Sequence, residues 1–108
     1  MDFEFSDEQA MLREVFRDTL RDHSSPEKVR AIADGGLDVD PKLWSLGAEL
    51  GWTGLAIPEQ YGGAGQGLVE LCIAAEELGR AITPGPFITT SLVGLAVARH
   101  GSAELQAE

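Results

Sequence analysis

Apolar residues recur at spacings of three and four through Met11, Leu12, Val15, Phe16, Thr19 and Leu20, the period of one face of an α-helix. Ser6-Asp7-Glu8-Gln9 precedes this run with a capping-box pattern: Ser6 accepts from an orphan N–H, Gln9 reaches back, and the acids suit the positive helix end. The opposite face carries Arg13, Arg17 and Arg21 beside Glu14, Asp18 and Asp22, and reads as solvated. Ser25-Pro26 opens a second, short helix that ends before Gly35-Gly36, and residues 34–40 form a loop. Asp40-Pro41 repeats the start signal for a third helix with Leu43, Trp44, Leu46 and Leu50 apolar, and Gly51 fits the left-handed residue past its end.

Residues 52–67 hold Gly54, Pro58, Gly62, Gly63, Gly65 and Gly67, so the segment is a structured loop in which only Leu55-Ala56-Ile57 has room to be extended. Leu68, Leu71, Cys72, Ala75 and Leu78 then mark the core face of a fourth helix closed near Gly79, with Glu76 and Arg80 spaced to pair across one turn. Thr83-Pro84-Gly85-Pro86 breaks the chain. Residues 87–98 run without a single charge before Arg99, His100 and the stop at Gly101, and Ser102 caps a sixth helix. A helix uncharged all round is expected to be covered on every side or to line a protected cavity. The pattern as a whole is that of a single all-α domain.

Charge narrows the partners. With 18 acidic and 8 basic residues the formal charge is -10, which repels nucleic acid and anionic membrane surfaces. The same field means that cations for a polyanionic ligand lie outside this segment. The lone cysteine, Cys72, sits in an apolar stretch, reads as a small buried residue, and fits a reducing compartment. The acidic start and the proline-broken uncharged run match neither a signal peptide nor a membrane span, so the expectation is a soluble cytoplasmic protein.

Candidate chemistry is sparse. Gly62-Gly63-Ala64-Gly65-Gln66-Gly67 lacks the G-x-G-x-x-G register, and no Lys-Ser/Thr pair follows it, so a tight turn is favoured over a phosphate loop. His23, Cys72 and His100 have no ligand spacing, and no metal site is predicted. Glu76 and Glu77 point about 100 degrees apart on a helix and do not read as an acid–base pair. His100 suits a helix-end capping role. The fifth helix is the best functional feature: Thr89, Thr90 and Ser91 add hydroxyls to an apolar surface and Gly94 permits close approach. Either it walls an apolar pocket or it is a core helix whose hydroxyls bond back to its own carbonyls.

Taken together, Asp2-Phe3-Glu4-Phe5-Ser6-Asp7-Glu8-Gln9, the stretch from Leu50-Gly51-Trp52 through Ile57-Pro58-Glu59 to Tyr61-Gly62-Gly63-Ala64-Gly65, and Ala75-Glu76-Glu77-Leu78-Gly79-Arg80 resemble the N-terminal signatures of the acyl-CoA dehydrogenase family, in order and spacing. The resemblance implies an all-α, orthogonal multi-helix bundle over residues 1–108, the first of three domains. The middle β domain, which carries most FAD contacts, and the C-terminal helical domain, with the catalytic glutamate in or near it, lie outside this chain. It implies α,β-desaturation of an acyl-CoA thioester by the whole enzyme, electron-transfer flavoprotein as acceptor, and a homo- or hetero-oligomer. No catalytic residue is assigned here, and these residues alone are expected to be inactive.

What the resemblance carries over is a pocket wall within residues 83–95, formed by Pro84, Phe87, Ile88, Ser91, Leu92 and Leu95. The Pro-Gly-Pro-Phe corner looks like that of bacterial members, some of which act on bulky or branched acyl groups. An acyl-CoA oxidase or flavin monooxygenase of the same fold is the alternative. A noncatalytic subunit that binds a partner helix through the fifth helix is another.

Overall fold

The computed structural model describes residues 3–108, and all of its regular elements are helical. Asp2 of the opening motif, and Met1 with it, lie outside the described residues. Six α-helices follow in order: α1 (Asp7–His23), α2 (Pro26–Asp34), α3 (Pro41–Glu49), α4 (Leu68–Arg80), α5 (Phe87–His100) and α6 (Ala103–Ala107). Two single 3-10 turns, Trp52–Gly54 and Glu59–Tyr61, sit between α3 and α4.

The helix starts follow the local chemistry. At α1, Ser6 Oγ accepts from Gln9 N (3.2 Å) and Gln9 Oε1 accepts from Ser6 N (3.0 Å). Ser25, Asp40 and Ser102 cap α2, α3 and α6 by accepting backbone N–H bonds in the first turn. The α4 start lacks a side chain at Gly67, and Glu70 reaches back instead, accepting from Gly67 N at 3.0 Å. Glu70 Oε1 also accepts from Gln9 Nε2 at 3.1 Å, so one polar relay joins the starts of α1 and α4 and sets them side by side in the same direction.

The core lies where α1, α3, α4 and the first turn of α5 meet, built on Phe16, Leu20, Leu43, Trp52, Leu55, Ala74, Leu78 and Phe87. Trp52 stacks on Phe16 with ring centroids 4.6 Å apart. On α1 the buried stripe is Leu12, Phe16 and Leu20; Met11 and Val15, read with it in the sequence, are exposed. On α4 the buried residues are Ile73, Ala74, Glu77 and Leu78, with Leu71 and Ala75 partly buried, while Leu68 and Cys72 are exposed, so the reading of Cys72 as buried is corrected. The residues read wrongly point away from the covered face of each helix. Leu50, read as the last apolar position of the third helix, follows its end and is exposed as well.

Leu55 and Ala56 lie in tight turns after Trp52–Gly54, not in an extended segment. The glycines make that winding inexpensive, and the loop's carbonyls are bonded locally.

The molecule measures 42 × 38 × 20 Å, about two helix diameters thick. Its radius of gyration, 14.8 Å, exceeds the ~13 Å of a compact domain of this length. A slab this thin covers a helix on one side only, and α5 shows the consequence. Phe87 and Ser91 are buried, while Ile88, Leu92 and Val93 are each more than half exposed, so these residues by themselves cover the uncharged helix on one side only. No helix among the described residues is long and apolar enough to cross a membrane.

Candidate functional site

The corner between α4 and α5 is built by a helix ending of an uncommon kind. Thr83 N donates to Leu78 O (3.0 Å) and Ile82 N to Gly79 O (3.1 Å), the paired bonds of a Schellman motif, which place residue 82 in the left-handed region. That position normally holds glycine, as at the end of α2, where Gly36 has φ +72° within the same pair of bonds. Here it holds Ile82 at φ +52°, a β-branched residue in a strained conformation. Ile82 is also 74% exposed, so burial does not offset the strain.

After it, Thr83 hydroxyl meets Ser24 hydroxyl at 3.3 Å and pins the corner to the end of α1. Gly85 lets the backbone pass the Trp44 ring, which a Cβ would approach to 3.3 Å. Phe87 then drops into the core and starts α5. Thr89 Oγ1 donates back to Pro86 O at 3.1 Å, the self-bonding expected of a hydroxyl on this helix. Gly94 provides the close approach read from the sequence, since a Cβ there would lie 3.0 Å from Ile57 Cδ1.

A cleft of about 610 Å³ lies between this corner and α2. Pro84, Phe87 and Ile88 line it, facing Val29, Ile32 and Leu37. The other three residues assigned to the wall are elsewhere: Ser91 is buried, Leu95 is half-buried, and Leu92 is exposed on the outer side of α5. Sequence reasoning missed the contribution of α2 and of Ile82. The available signal was an apolar β-branched residue in place of glycine two positions past the end of α4.

Electrostatics concentrate along α1 and α4. Glu77 is 2% exposed, and Arg17 donates to both of its oxygens. Arg13 and Arg80 approach it to 3.6 and 3.8 Å. The hydrogen bonds from Arg17 hold the Glu77 carboxyl below the usual carboxylate range, against the opposing effect of burial, and they raise Arg17 in turn. Glu70 is lowered as well, chiefly by the bond from Gln9. Two sequence expectations are thereby corrected. Glu76 pairs with Arg13 (3.3 Å) and not with Arg80, and two rungs of the arginine ladder face α4 rather than open solvent. Only Arg21 keeps local partners, Asp18 at 3.1 Å and Asp22 at 3.7 Å. The reason is tertiary: α4 lies along that face and presents carboxylates to it.

The glycine loop is closed to anions. Gly62, Gly63, Ala64, Gly65 and Gln66 donate their amides to Glu59, Pro58, Gly54, Ile57 and Leu55 carbonyls, and Gly67 donates to Glu70. A Cβ at Gly63 would collide with the Ile57 carbonyl, so these glycines serve packing.

Comparison with known proteins fits this architecture. The sequence model of the acyl-CoA dehydrogenase N-terminal domain matches residues 6–108. The acyl-CoA dehydrogenase IpdE2 of Mycolicibacterium smegmatis is 41% identical over 100 residues, 92% of this chain and 32% of that protein. A mitochondrial isovaleryl-CoA dehydrogenase of Arabidopsis thaliana is 35% identical over 77 residues, 71% of this chain and 19% of that protein. A solved structure described as the Tcur3481-Tcur3483 steroid ACAD G363A variant superposes with a TM-score of 0.85 at 38% identity, covering 93% of this chain and 28% of that one. The chain thus spans less than a third of the length of each of these relatives. Matched over nearly its whole length in sequence and in fold, this chain belongs to the acyl-CoA dehydrogenase family, whose N-terminal domain it represents.

Proposed function

We propose that this chain is the N-terminal domain of an FAD-dependent acyl-CoA dehydrogenase that introduces an α,β double bond into an acyl-CoA thioester. Its part is to wall the acyl group. The observation that carries this reading is the apolar cleft at the α4–α5 corner, with Pro84, Phe87 and Ile88 on it, in a chain matched to that family over residues 6–108. Ser91, Leu92 and Leu95 do not line this cleft; in this reading they join the wall only through the bare outer side of α5, where Leu92 and Val93 are more than half exposed and left for the rest of the enzyme.

The flavin contacts belong outside these residues. The glycine loop does not fit a nucleotide diphosphate, because its amides are already donated and the Glu70 carboxylate occupies the start of α4. FAD supplies hydride acceptance when bound elsewhere in the enzyme. The residues here exclude water from the acyl chain and bring no general base, so they are inactive by themselves. Electron-transfer flavoprotein is the proposed acceptor, and association of several subunits belongs to the same reading.

The acyl group is proposed to be bulky. One relative is described as a steroid ACAD, another as a benzylmalonyl-CoA dehydrogenase, and the corner here is formed by Pro84, Pro86 and Phe87 without a charged side chain. The test is to isolate the protein as the cell makes it, measure bound flavin, and add straight-chain, branched and steroid-derived acyl-CoAs anaerobically. Flavin bleaching, greatest with the bulky thioesters, supports the reading; no flavin and no bleaching with any of them sinks it. Peroxide formed in step with product would instead favour an oxidase.

A further inference from the structure

Two clefts meet beneath α2. The apolar one at the α4–α5 corner holds about 610 Å³, and a second of about 690 Å³ opens between the end of α1, α2 and the end of α4. Val29, Ala33 and Ile82 line both, so the two are the ends of one groove. Its ends differ in chemistry. The far end carries Arg17, Arg21, Arg30 and Arg80, four of the eight lysines and arginines of a chain whose net charge is -10.

These four are not equally occupied. Arg17 is committed to Glu77, and Arg80 stands 3.8 Å from the same carboxylate. Arg21 holds only exposed Asp18 and Asp22, neither of which lines the groove, and Arg30 makes no ion pair among the described residues. Glu77 is the one acid on the groove wall, and it is buried and already bonded. At the junction of the two ends sits Ile82, strained at φ +52° and exposing an apolar side chain over the groove. Backbone strain held in place without burial to offset it is common where a ligand contacts the chain.

We propose that this groove binds an amphipathic anion, with an apolar body lying under α2 against Val29 and Ile82 and a single carboxylate or phosphate head at Arg21, Arg30 and Arg80. Guanidinium groups match either head in geometry and charge. The chain's overall charge works against an extended polyanion, which would run past the arginines onto acidic surface, and not against one compact head. Its apolar end is the cleft read above as an acyl wall and to that extent rests on that reading, whereas the arginine end does not.

The test is calorimetric titration of the 108-residue chain with dodecanoate, dodecyl phosphate and uncharged methyl dodecanoate, each below its micelle concentration. Both anions are expected to bind one per chain and about tenfold or more tighter than the ester, with the difference shrinking as salt is raised. Reversing Arg21→Glu and Arg30→Glu together is expected to remove that advantage while circular dichroism shows the helices intact. The pair Arg21→Gln and Arg30→Gln serves if the reversal disturbs folding. Equal affinity for ester and acid, or anion binding untouched by both double variants, overturns the proposal. So does sedimentation with phosphatidylglycerol vesicles in the absence of monomeric dodecanoate binding, which would assign the arginines to a lipid surface.

Discussion

Arg17 donates two hydrogen bonds to Glu77 across the packed faces of α1 and α4, from Nε at 3.2 Å and from Nη2 at 2.8 Å. Glu77 is buried, and Arg13 and Arg80 crowd the same carboxylate. Neutralising it to an amide turns one of the two acceptor oxygens into a donor and leaves three guanidiniums around a group without charge. Glu77→Gln is expected to destabilise the chain by about 1–3 kcal/mol, the range for a hydrogen bond to a charged group. Urea unfolding followed by far-ultraviolet circular dichroism measures it; an unchanged midpoint would show the cluster to be energetically idle.

The same pair sets the pH response. Glu77 and Glu70 are both held below the ordinary carboxylate range in the folded chain, by the bonds from Arg17 and from Gln9 respectively. A depressed folded value means that the unfolded chain binds protons first as pH falls. The stabilisation is then fully present above the ordinary carboxylate value of about 4.3 and disappears as pH drops through the lower folded values. Melting temperatures should hold level from neutral pH down to about 5 and fall steeply below that, and Glu77→Gln should flatten the fall. A fall of equal steepness in the variant would place the acid sensitivity elsewhere.

Helix starts were legible because they are local: Ser6, Ser25, Asp40 and Ser102 each cap the helix that follows them, and the bonds involved span three residues or fewer. The family signatures were legible for a related reason, since Gly51 and the glycine loop occupy backbone positions that only a few residues tolerate. Partner choice was not. Whether Arg13 meets Glu14 or Glu76 depends on how α4 lies on α1, and helical periodicity carries no such information. Cys72 failed similarly: α4 buries Ile73, Ala74, Glu77 and Leu78, and Cys72 points away from that arc, whose direction depends on where α1 lies. Of the site, the α5 corner was read from residue order, while the wall from α2 comes from a contact between segments far apart in sequence.

Cys72 offers a direct check on that correction. It is exposed on α4 beside Leu68 and Val69, at the edge of a shallow cleft that Phe5 also lines. The thiol is expected to react with a disulfide reagent at the same rate, within about threefold, in native buffer and in urea, because thiolate access rather than unfolding limits the reaction. Modification that waits on denaturation would return Cys72 to the core.

Gly47 is required by Trp52. A Cβ at Gly47 would lie 2.6 Å from Trp52 Cε3, and that ring is stacked on Phe16 within the core, so it has nowhere to move without opening the stack. Gly47→Ala is expected to cost about 1–3 kcal/mol in spite of alanine's better helix propensity, since overpacking a filled site outweighs a gain of under about 1 kcal/mol. Loss of near-ultraviolet dichroism together with a lower melting temperature would report the disturbed tryptophan. A more stable Gly47→Ala variant would mean that the α3 contact relaxes freely.

Ile82 presents the opposite case, a position where glycine is missing. The Schellman bonds of α4 put residue 82 at φ +52°, whereas α2 closes the same way on Gly36. A left-handed conformation costs an ordinary L-residue about 1–2 kcal/mol, and the mostly exposed Ile82 side chain recovers little of it by packing. Glycine removes that cost but enlarges the entropy lost on folding by roughly 0.5–1 kcal/mol. The difference predicts that Ile82→Gly stabilises the chain by roughly 0.5–1 kcal/mol, while Ile82→Ala, which keeps the Cβ and the strain, gains nothing. Thermal melts of the three chains decide it. If Ile82→Gly melts lower than the parent, Ile82 must be held by a contact worth more than its strain, and its exposed side chain would then have to be packed in solution against something beyond α4.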